Sequence, residues 1–335
     1  MTDDLTFRLK LLLPGYTAKW RRRARVFLSC LDTVFRDFDF GWEGNEPVAV
    51  RKDGLLKIHG TVSPKKELRL YALLRDALPE GFDPQHFRLA RDLVTRYLFP
   101  HLRPDLYPGG DENLDAEAAE LVGFHGQHKD TIMQVADPAL RRILLDAFTP
   151  KPNDMILDCG AFMGIGEVAV APLLTQGRMI ALEADQRWHR MLAKNVDASG
   201  LTNVRHRNAA IWNVHGATMQ LATGDAQANT LKHDVYDGGG RQEVETVSVD
   251  GILNDESMDE LTMLSLTVNG AEVEALEGAR ETLHERRPRI RLAGWYERDG
   301  RKVSDLCVPA LESAGYRVYV GPRHGVLALP EEAFS

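Results

Sequence analysis

The residues whose types and spacing most directly promise chemistry lie in one run, Met155-Ile156-Leu157-Asp158-Cys159-Gly160-Ala161-Phe162-Met163-Gly164. An apolar strand runs into a glycine-rich turn and then into a helix. Gly160 lets the chain turn tightly at the carboxyl end of the strand, and Gly164 lets the backbone approach a ligand closely. Roughly 20 to 25 residues further on, Glu183 ends the next apolar segment, where a carboxylate can hold both hydroxyls of a ribose. Together these residues describe a nucleoside site. A dinucleotide site prefers G-x-G-x-x-G, with a helix N-terminus on the pyrophosphate. Here the order is Asp158-x-Gly160 followed by Gly164. An acid on the turn repels a pyrophosphate but suits the aminopropyl ammonium of S-adenosyl-L-methionine, which is therefore the expected cofactor. NAD, and a turn whose glycines serve packing alone, stay as alternatives at this point.

The elements that must position this turn follow from periodicity. From Met155 onward apolar runs alternate with helical patterns, which implies a mostly parallel sheet covered on both faces. Strands are expected at Met155–Asp158, Met179–Glu183, Val204–Asn208, Met263–Val268, Arg289–Leu292 and Tyr316–Val320, with further strands at Thr218–Leu221 and Glu243–Val249. Helices are expected at Gly166–Leu174, Arg187–Ser199, Val273–Leu283 and Val303–Ser313. The fold class is thus α/β, a Rossmann-like sheet with helices on both faces. A mainly helical N-terminal region precedes it: a helix over residues 16–38, a hairpin turning at Asp53-Gly54, helices from Ser63 to Leu78 and from Pro84 to Phe99, and another from Leu140 to Phe148. Pro104 to Asp111, with Pro108-Gly109-Gly110, is the expected linker, giving an accessory region over 1–110 and a main domain over 111–335 with its core at 155–320.

The motif order extends beyond the turn. Asp158-Cys159-Gly160-Ala161-Phe162-Met163-Gly164 is followed by Glu183-Ala184-Asp185, Lys194-Asn195, Asn208-Ala209-Ala210, Asn269-Gly270-Ala271-Glu272, Leu276-Glu277-Gly278-Ala279 and Pro288. This order resembles the FkbM family of methyltransferases over roughly Met155 to Leu292. The resemblance implies a class I methyltransferase fold, S-adenosyl-L-methionine as methyl donor, and O-methylation of a hydroxyl on a sugar, glycan or secondary metabolite. By position it implies that Asp158, Gly160 and Gly164 face the methionine part, Glu183 the ribose, and Asn208 and Ala209 the adenine, with Ala161 and Ala184 also in the cofactor site.

One motif departs from the family. Where the family reads Asp-Val-Glu-Gly-Ala-Glu after its fourth strand, this chain reads Thr267-Val268-Asn269-Gly270-Ala271-Glu272. A hydroxyl and an amide replace two carboxylates at the end of a central strand, where open α/β sheets place their ligands. An aspartate there can accept a proton or hold a hard cation; threonine does neither at neutral pH. Thr267, Asn269 and Glu272 are nonetheless the first candidates beside the reacting atoms, and no metal is expected. His125 and His128, in Gly123-Phe124-His125-Gly126-Gln127-His128 with Glu120 nearby, are candidates for a base or for metal ligands. Loop histidines are more often only solvated. Tyr296 and Glu297 stand where substrate groups often lie, and the loop from Ala222 to Arg241 is an ordinary connection or a cover over substrate.

Composition narrows the classes. With 44% hydrophobic and 27% charged residues, a sizeable core can be buried. No uncharged apolar run reaches the about eighteen residues of a membrane span, and the arginine-rich start lacks a cleavage site, so a cytoplasmic location is expected. Cys30, Cys159 and Cys307 are too few and too scattered for a disulfide framework. Residues 1–110 hold 19 basic and 14 acidic residues, leaving 22 basic and 35 acidic for the remainder. An acidic main domain argues against a nucleic-acid substrate, because phosphates need clustered Lys and Arg. Phe27, Leu31, Val34, Phe35 and Phe38 form an apolar stripe beside Lys19, Arg21, Arg22, Arg23 and Arg25. Burial against protein, the chain itself or a second copy, is the first reading of such a stripe, and peripheral contact with an anionic membrane the second. Three functions follow: an O-methyltransferase, a methyltransferase-like binding protein that lost its chemistry through Thr267 and Asn269, and an NAD-dependent oxidoreductase.

Overall fold

The computed structural model describes residues 30–62, 78, 82–94, 128, 131–132, 134–223, 230–231 and 240–334. The chain divides into two compact units, Met1–Gly126 and Gln127–Ser335. Residues 16–29 of the first expected helix, the linker over 104–111 and His125 lie outside the described residues. So do most of the loop after Thr223 and the expected helix from Ser63, apart from Leu78.

In the first unit residues 30–37 are helical and bury Cys30, Leu31 and Val34. The helix stops one residue short of expectation, because Phe38 opens a strand. The segment Phe-Asp-Phe-Gly-Trp-Glu alternates aromatic and polar residues with a period of two. Three antiparallel strands result: β1 (Phe38–Glu43), β2 (Glu46–Arg51) and β3 (Lys57–His59), ordered β1-β2-β3. Asp53-Gly54 makes the expected turn between β2 and β3, so the described part of this region holds a small sheet beside its helices. Asp83 caps α1 (Pro84–Leu93), its carboxylate accepting the Gln85 amide at 2.7 Å, with proline at the first helical position. Phe35, Phe40 and Phe82 pack edge to face, so the described part of the apolar stripe is covered by this unit's own residues.

In the second unit, residues 128 and 131–132 are helical and precede α2 (Pro138–Phe148), capped by Asp137. The chain then alternates as expected: β4 (Met155–Cys159), α3 (Ile165–Val170), β5 (Arg178–Leu182), α4 (Gln186–Ala198) and β6 (Val204–Arg207). On α4 the buried Trp188, Leu192, Asn195 and Val196 recur at helical spacing and face inward. An excursion follows: β7 (Ala210–Ile211), β8 (Ala217–Thr223) and β9 (Gly240–Val247) form a small sheet ordered β7-β9-β8. Then come α5 (Val249–Asp255), β10 (Met263–Leu266), α6 (Glu272–Glu277), β11 (Arg289–Ala293), the short hairpin β12 (Glu297–Arg298) and β13 (Arg301–Lys302), α7 (Val303–Ser313), β14 (Tyr316–Val320) and β15 (Gly325–Pro330).

Seven strands make the main sheet in the order β14-β15-β11-β10-β4-β5-β6. The order reverses between β10 and β4, so the glycine turn stands at a switch point, where such sheets bind ligands. Only β15 runs antiparallel to its neighbours. This strand, Gly-Val-Leu-Ala-Leu-Pro, was not among the expected ones; it is fully buried and lacks alternation. Side chains of Leu157, Ile180, Leu264 and Leu292 join those of Val303, Cys307 and Leu311 from α7 in one core. Register sets a polar row across the sheet: Ser265 pairs with Asp158 on one side and with Arg291 on the other. Side chains level in register point to the same face.

Candidate active site

The site is built from two turns at the carboxyl ends of β4 and β10. After Cys159 the chain folds over the end of β5, with the Gly160 and Ala161 amides both donating to the Leu182 carbonyl at 2.9 and 3.0 Å. The next amide, Phe162, donates to Glu183 Oε2 at 2.8 Å, and Asp185 donates to Glu183 Oε1 at 2.8 Å. The carboxylate of Glu183 is thus fixed beside the glycine turn, and each of its oxygens can accept a further bond, as a ribose diol requires. Phe162 adopts φ 56°, and its ring packs on Trp188 with centroids 4.2 Å apart.

Gly160 is required by the second turn. With φ at +92°, a Cβ there would stand 2.1 Å from the Thr267 carbonyl oxygen, which lies directly against it. The Thr267 amide in turn donates to the Cys159 carbonyl at 2.9 Å. The two turns are therefore in contact. A Cβ on Gly164, with φ at +78°, would stand 3.1 Å from Leu192 Cα, so this glycine serves the packing of α3 on α4.

The second turn is held from beneath. Asn269 and Gly270 adopt φ of 55° and 100°, and Glu272 accepts the Val268 amide at 3.0 Å through Oε1 and the Gly270 amide at 2.9 Å through Oε2. Glu272 is completely buried, and burial pushes its carboxyl up to about 7 against the pull of those amides. A general base needs reach to substrate; Glu272 has none, and its role is to shape the turn. Arg298 adds a strut, donating to the Gly270 carbonyl at 3.1 Å and in bidentate fashion to Glu274 at 2.9 Å. Thr267 and Asn269 are half-buried on the turn itself.

Other candidates fall elsewhere. His128 is buried, and its Nε2 meets the Leu292 carbonyl at 3.0 Å, so that nitrogen carries the hydrogen. Burial, with the charges of Arg291 and Arg323, pushes the ring down to about 3. Such an imidazole is neutral and weakly basic, and it serves as a link to the sheet instead of a base or metal ligand. Asn208 donates its amide to the carbonyls of Glu183 and Ala184 at 2.8 and 2.9 Å, and Ala209 is buried in the core. Asn208 thus supports the Glu183 turn instead of presenting its amide to a base. Ala161 is buried in the turn, Tyr296 is partly buried against the core, and Glu297 is exposed and paired with Lys302. Among the described residues no group of three or more His, Cys, Asp or Glu is placed to hold a metal ion, and no helix is long and apolar enough to cross a membrane.

Three supporting residues carried no readable sequence signal for their role. Asn195, buried on α4, donates to the Met163 carbonyl at 2.8 Å. Gln242 on β9 donates to the Ala184 carbonyl at 3.0 Å and accepts the Gln186 amide at 3.2 Å. Arg298 belongs to a hairpin too short to show a pattern. Only Asn195 lay in a quoted motif.

The donor set fits S-adenosylmethionine. Asp158 and Glu183 supply carboxylates for an ammonium and a ribose diol, and no basic residue stands between Asp158 and Gln186 on either turn to meet a pyrophosphate, Arg178 lying at the far end of β5. Comparison with known proteins agrees. Residues 158–318 match the family model described as the methyltransferase FkbM domain. Among solved structures, the chain is similar to methyltransferase FkbM from Methylobacillus flagellatus KT, at 14% identity over 74% of this chain and 71% of that one, with a TM-score of 0.39. It is also similar to a SAM-dependent methyltransferase from Aquifex aeolicus, at 13% identity over 59% of this chain and 96% of that one, TM-score 0.32. Fibrillarin from Aeropyrum pernix, in complex with natively bound S-adenosyl-L-methionine, matches at 14% identity over 53% of this chain and 66% of that one, TM-score 0.33. No curated protein matches the chain. By the match to the family model, residues 158–318 are a methyltransferase FkbM domain, of an S-adenosylmethionine-dependent family.

Proposed function

We propose that the chain is an O-methyltransferase acting on a hydroxyl of a sugar, a glycan or a secondary metabolite. The observation that supports this reading is the contact between the two turns, Thr267 against Gly160; an acceptor seated on the 267–270 turn would lie alongside a donor held by Asp158 and Glu183. When bound, S-adenosylmethionine supplies an electrophilic methyl group on a sulfonium. Glu183 holds the ribose, Asp158 orients the ammonium, and Glu272 with Arg298 keeps the acceptor turn rigid, so that reacting atoms meet in a fixed geometry. The acceptor's proton has no carboxylate at position 267 or 269 to receive it. That departure favours a second reading, a domain that binds the donor without turning it over.

Calorimetry with S-adenosylhomocysteine and NAD tests the donor class, and Glu183→Ala should weaken the former by about 2 kcal/mol or more. Unchanged binding in that variant removes Glu183 as the ribose ligand. Transfer of labelled methyl to a panel of glycosides and hydroxylated metabolites then separates the readings. Binding without transfer to any extract of the source cell supports the second.

A further inference from the structure

We propose that Glu167 is a positioning residue of the donor site, whose acid proton bridges to the Asp158 carboxylate and holds it toward the donor's ammonium. This rests on the reading that Asp158 meets that ammonium. Glu167 lies on α3 and is 1% exposed, and neither of its carboxyl oxygens has a hydrogen-bond partner among the described residues. A buried carboxyl without a partner is costly and calls for an explanation. The polar group it faces is the carboxyl of Asp158, itself buried at the end of β4.

One cation serves both acids. Arg291 reaches Asp158 Oδ1 at 4.0 Å and donates from Nε to Ser265 Oγ at 2.9 Å, within the polar row set by strand register. Two neighbouring carboxyls in a low-dielectric site do not both ionise. Burial, followed by the charge of Asp158, pushes the Glu167 carboxyl well above the carboxylate range, so Glu167 keeps the proton. A proton on Glu167 gives the orphaned carboxyl its partner. Asp158 is then restrained by an acid on one side and by a guanidinium on another, leaving its remaining lone pairs for the donor.

The test uses the full chain and two ligands, S-adenosylhomocysteine and 5′-methylthioadenosine, which shares the adenosine and sulfur but lacks the amino-acid chain. Glu167→Leu should lose about tenfold in affinity for S-adenosylhomocysteine, the loss of one charge-assisted contact, with methylthioadenosine within about twofold. Glu167→Gln, which keeps a donor N–H, should restore S-adenosylhomocysteine binding to within about threefold of the parent. Equal weakening of both ligands, no weakening, or a glutamine variant as poor as leucine would each overturn the proposal. Asp158→Asn separates the layers. If it discriminates the two ligands and Glu167→Leu does not, Glu167 alone is misassigned; if Asp158→Asn does not discriminate either, the Asp158 reading falls and this inference with it. Should the leucine variant not fold, infrared spectra decide: the parent at neutral pH should show the carbonyl stretch of a protonated acid that Glu167→Gln lacks, and its absence refutes the bridge.

Discussion

Replacing Glu272 by glutamine isolates what shapes the acceptor turn. The side chain keeps its size and one carbonyl oxygen, so one of the two amide bonds, to Val268 or Gly270, survives. The other backbone N–H then faces the NH2 of the new amide, donor against donor, at a position with no solvent access. Leaving one buried donor unsatisfied costs about 1–3 kcal/mol. The strain of Asn269 at φ 55° adds to the tendency of the turn to open once a bond is gone. Hydrogen exchange at the Val268 and Gly270 amides should therefore quicken by roughly 5- to 150-fold, since every 1.4 kcal/mol is tenfold. Denaturant unfolding should lose a comparable amount. Binding of S-adenosylhomocysteine should change little, because Glu272 supports the acceptor side. Protection at both amides equal to that of the parent, with stability within about 0.5 kcal/mol, would refute the reasoning.

Four further outcomes follow from the same geometry. With the Glu272 carboxyl raised to about 7, the native state holds a proton that the unfolded chain has released. The parent's stability relative to Glu272→Gln should therefore be greatest below about pH 4.3, the ordinary glutamate value, and decline as pH rises toward 7; a difference that grows over that range contradicts it. Gly160→Ala drives a Cβ to 2.1 Å from the Thr267 carbonyl in a left-handed conformation, so the variant should fail to bind S-adenosylhomocysteine or fail to fold, and parent-like affinity would separate the two turns. Arg298→Met strands Glu274 in a pair whose side chains are 13% and 11% exposed, which should cost about 3 kcal/mol in denaturant unfolding; under 1 kcal/mol would make the strut ornamental. Exhaustive dialysis against chelator should leave S-adenosylhomocysteine affinity intact, and a loss restored by magnesium would place a cation in the site.

The legible parts of this molecule are those where one residue type has one physical use. Glycine at 160 and six of the seven strands of the main sheet could be read because period, turn chemistry and motif order all agreed, whereas Gly164, read as a close approach to ligand, packs α3 on α4. β15 was missed because it follows β14 after a short turn and returns antiparallel, outside the alternation of strand and helix that marked the others. β1 was missed, and its first residue, Phe38, was given to the preceding helix because the stripe ending there fits a period near 3.6; only the alternation from Phe38 to Glu43 separates the two. The supporting residues were illegible for a different reason. Glu272 looked like a catalytic acid because its sequence position says nothing about which way its carboxylate faces, and it faces its own turn. His128 promised a base by its type, while its burial against Leu292 is a tertiary fact. Arg298 and Gln242 act across 24 and 58 residues, on Glu274 and Ala184, and no local pattern announces contacts of that range.

The departure at Thr267 and Asn269 bears on function differently once the turn is seen in space. Had the chain lost this turn by drift, its backbone supports would have no reason to persist. They do persist: Glu272 accepts both amides, Gly270 keeps its positive φ, Arg298 grips the Gly270 carbonyl, and Thr267 still packs its carbonyl on Gly160. What is missing is carboxylate chemistry on an intact scaffold. The residues that shape the turn are thus separable here from positions 267 and 269, the two where we propose that a carboxylate would take the acceptor's proton. Changing Thr267 and Asn269 together to aspartate and glutamate would put two carboxylates onto a backbone already bent to present them. If methyl transfer to hydroxyl acceptors rises in that variant while S-adenosylhomocysteine affinity stays within about threefold, the scaffold is competent and lacks only a base. If transfer is already present in the parent and falls in the variant, the acceptor's proton leaves by another route and the threonine and asparagine belong to the acceptor's own recognition.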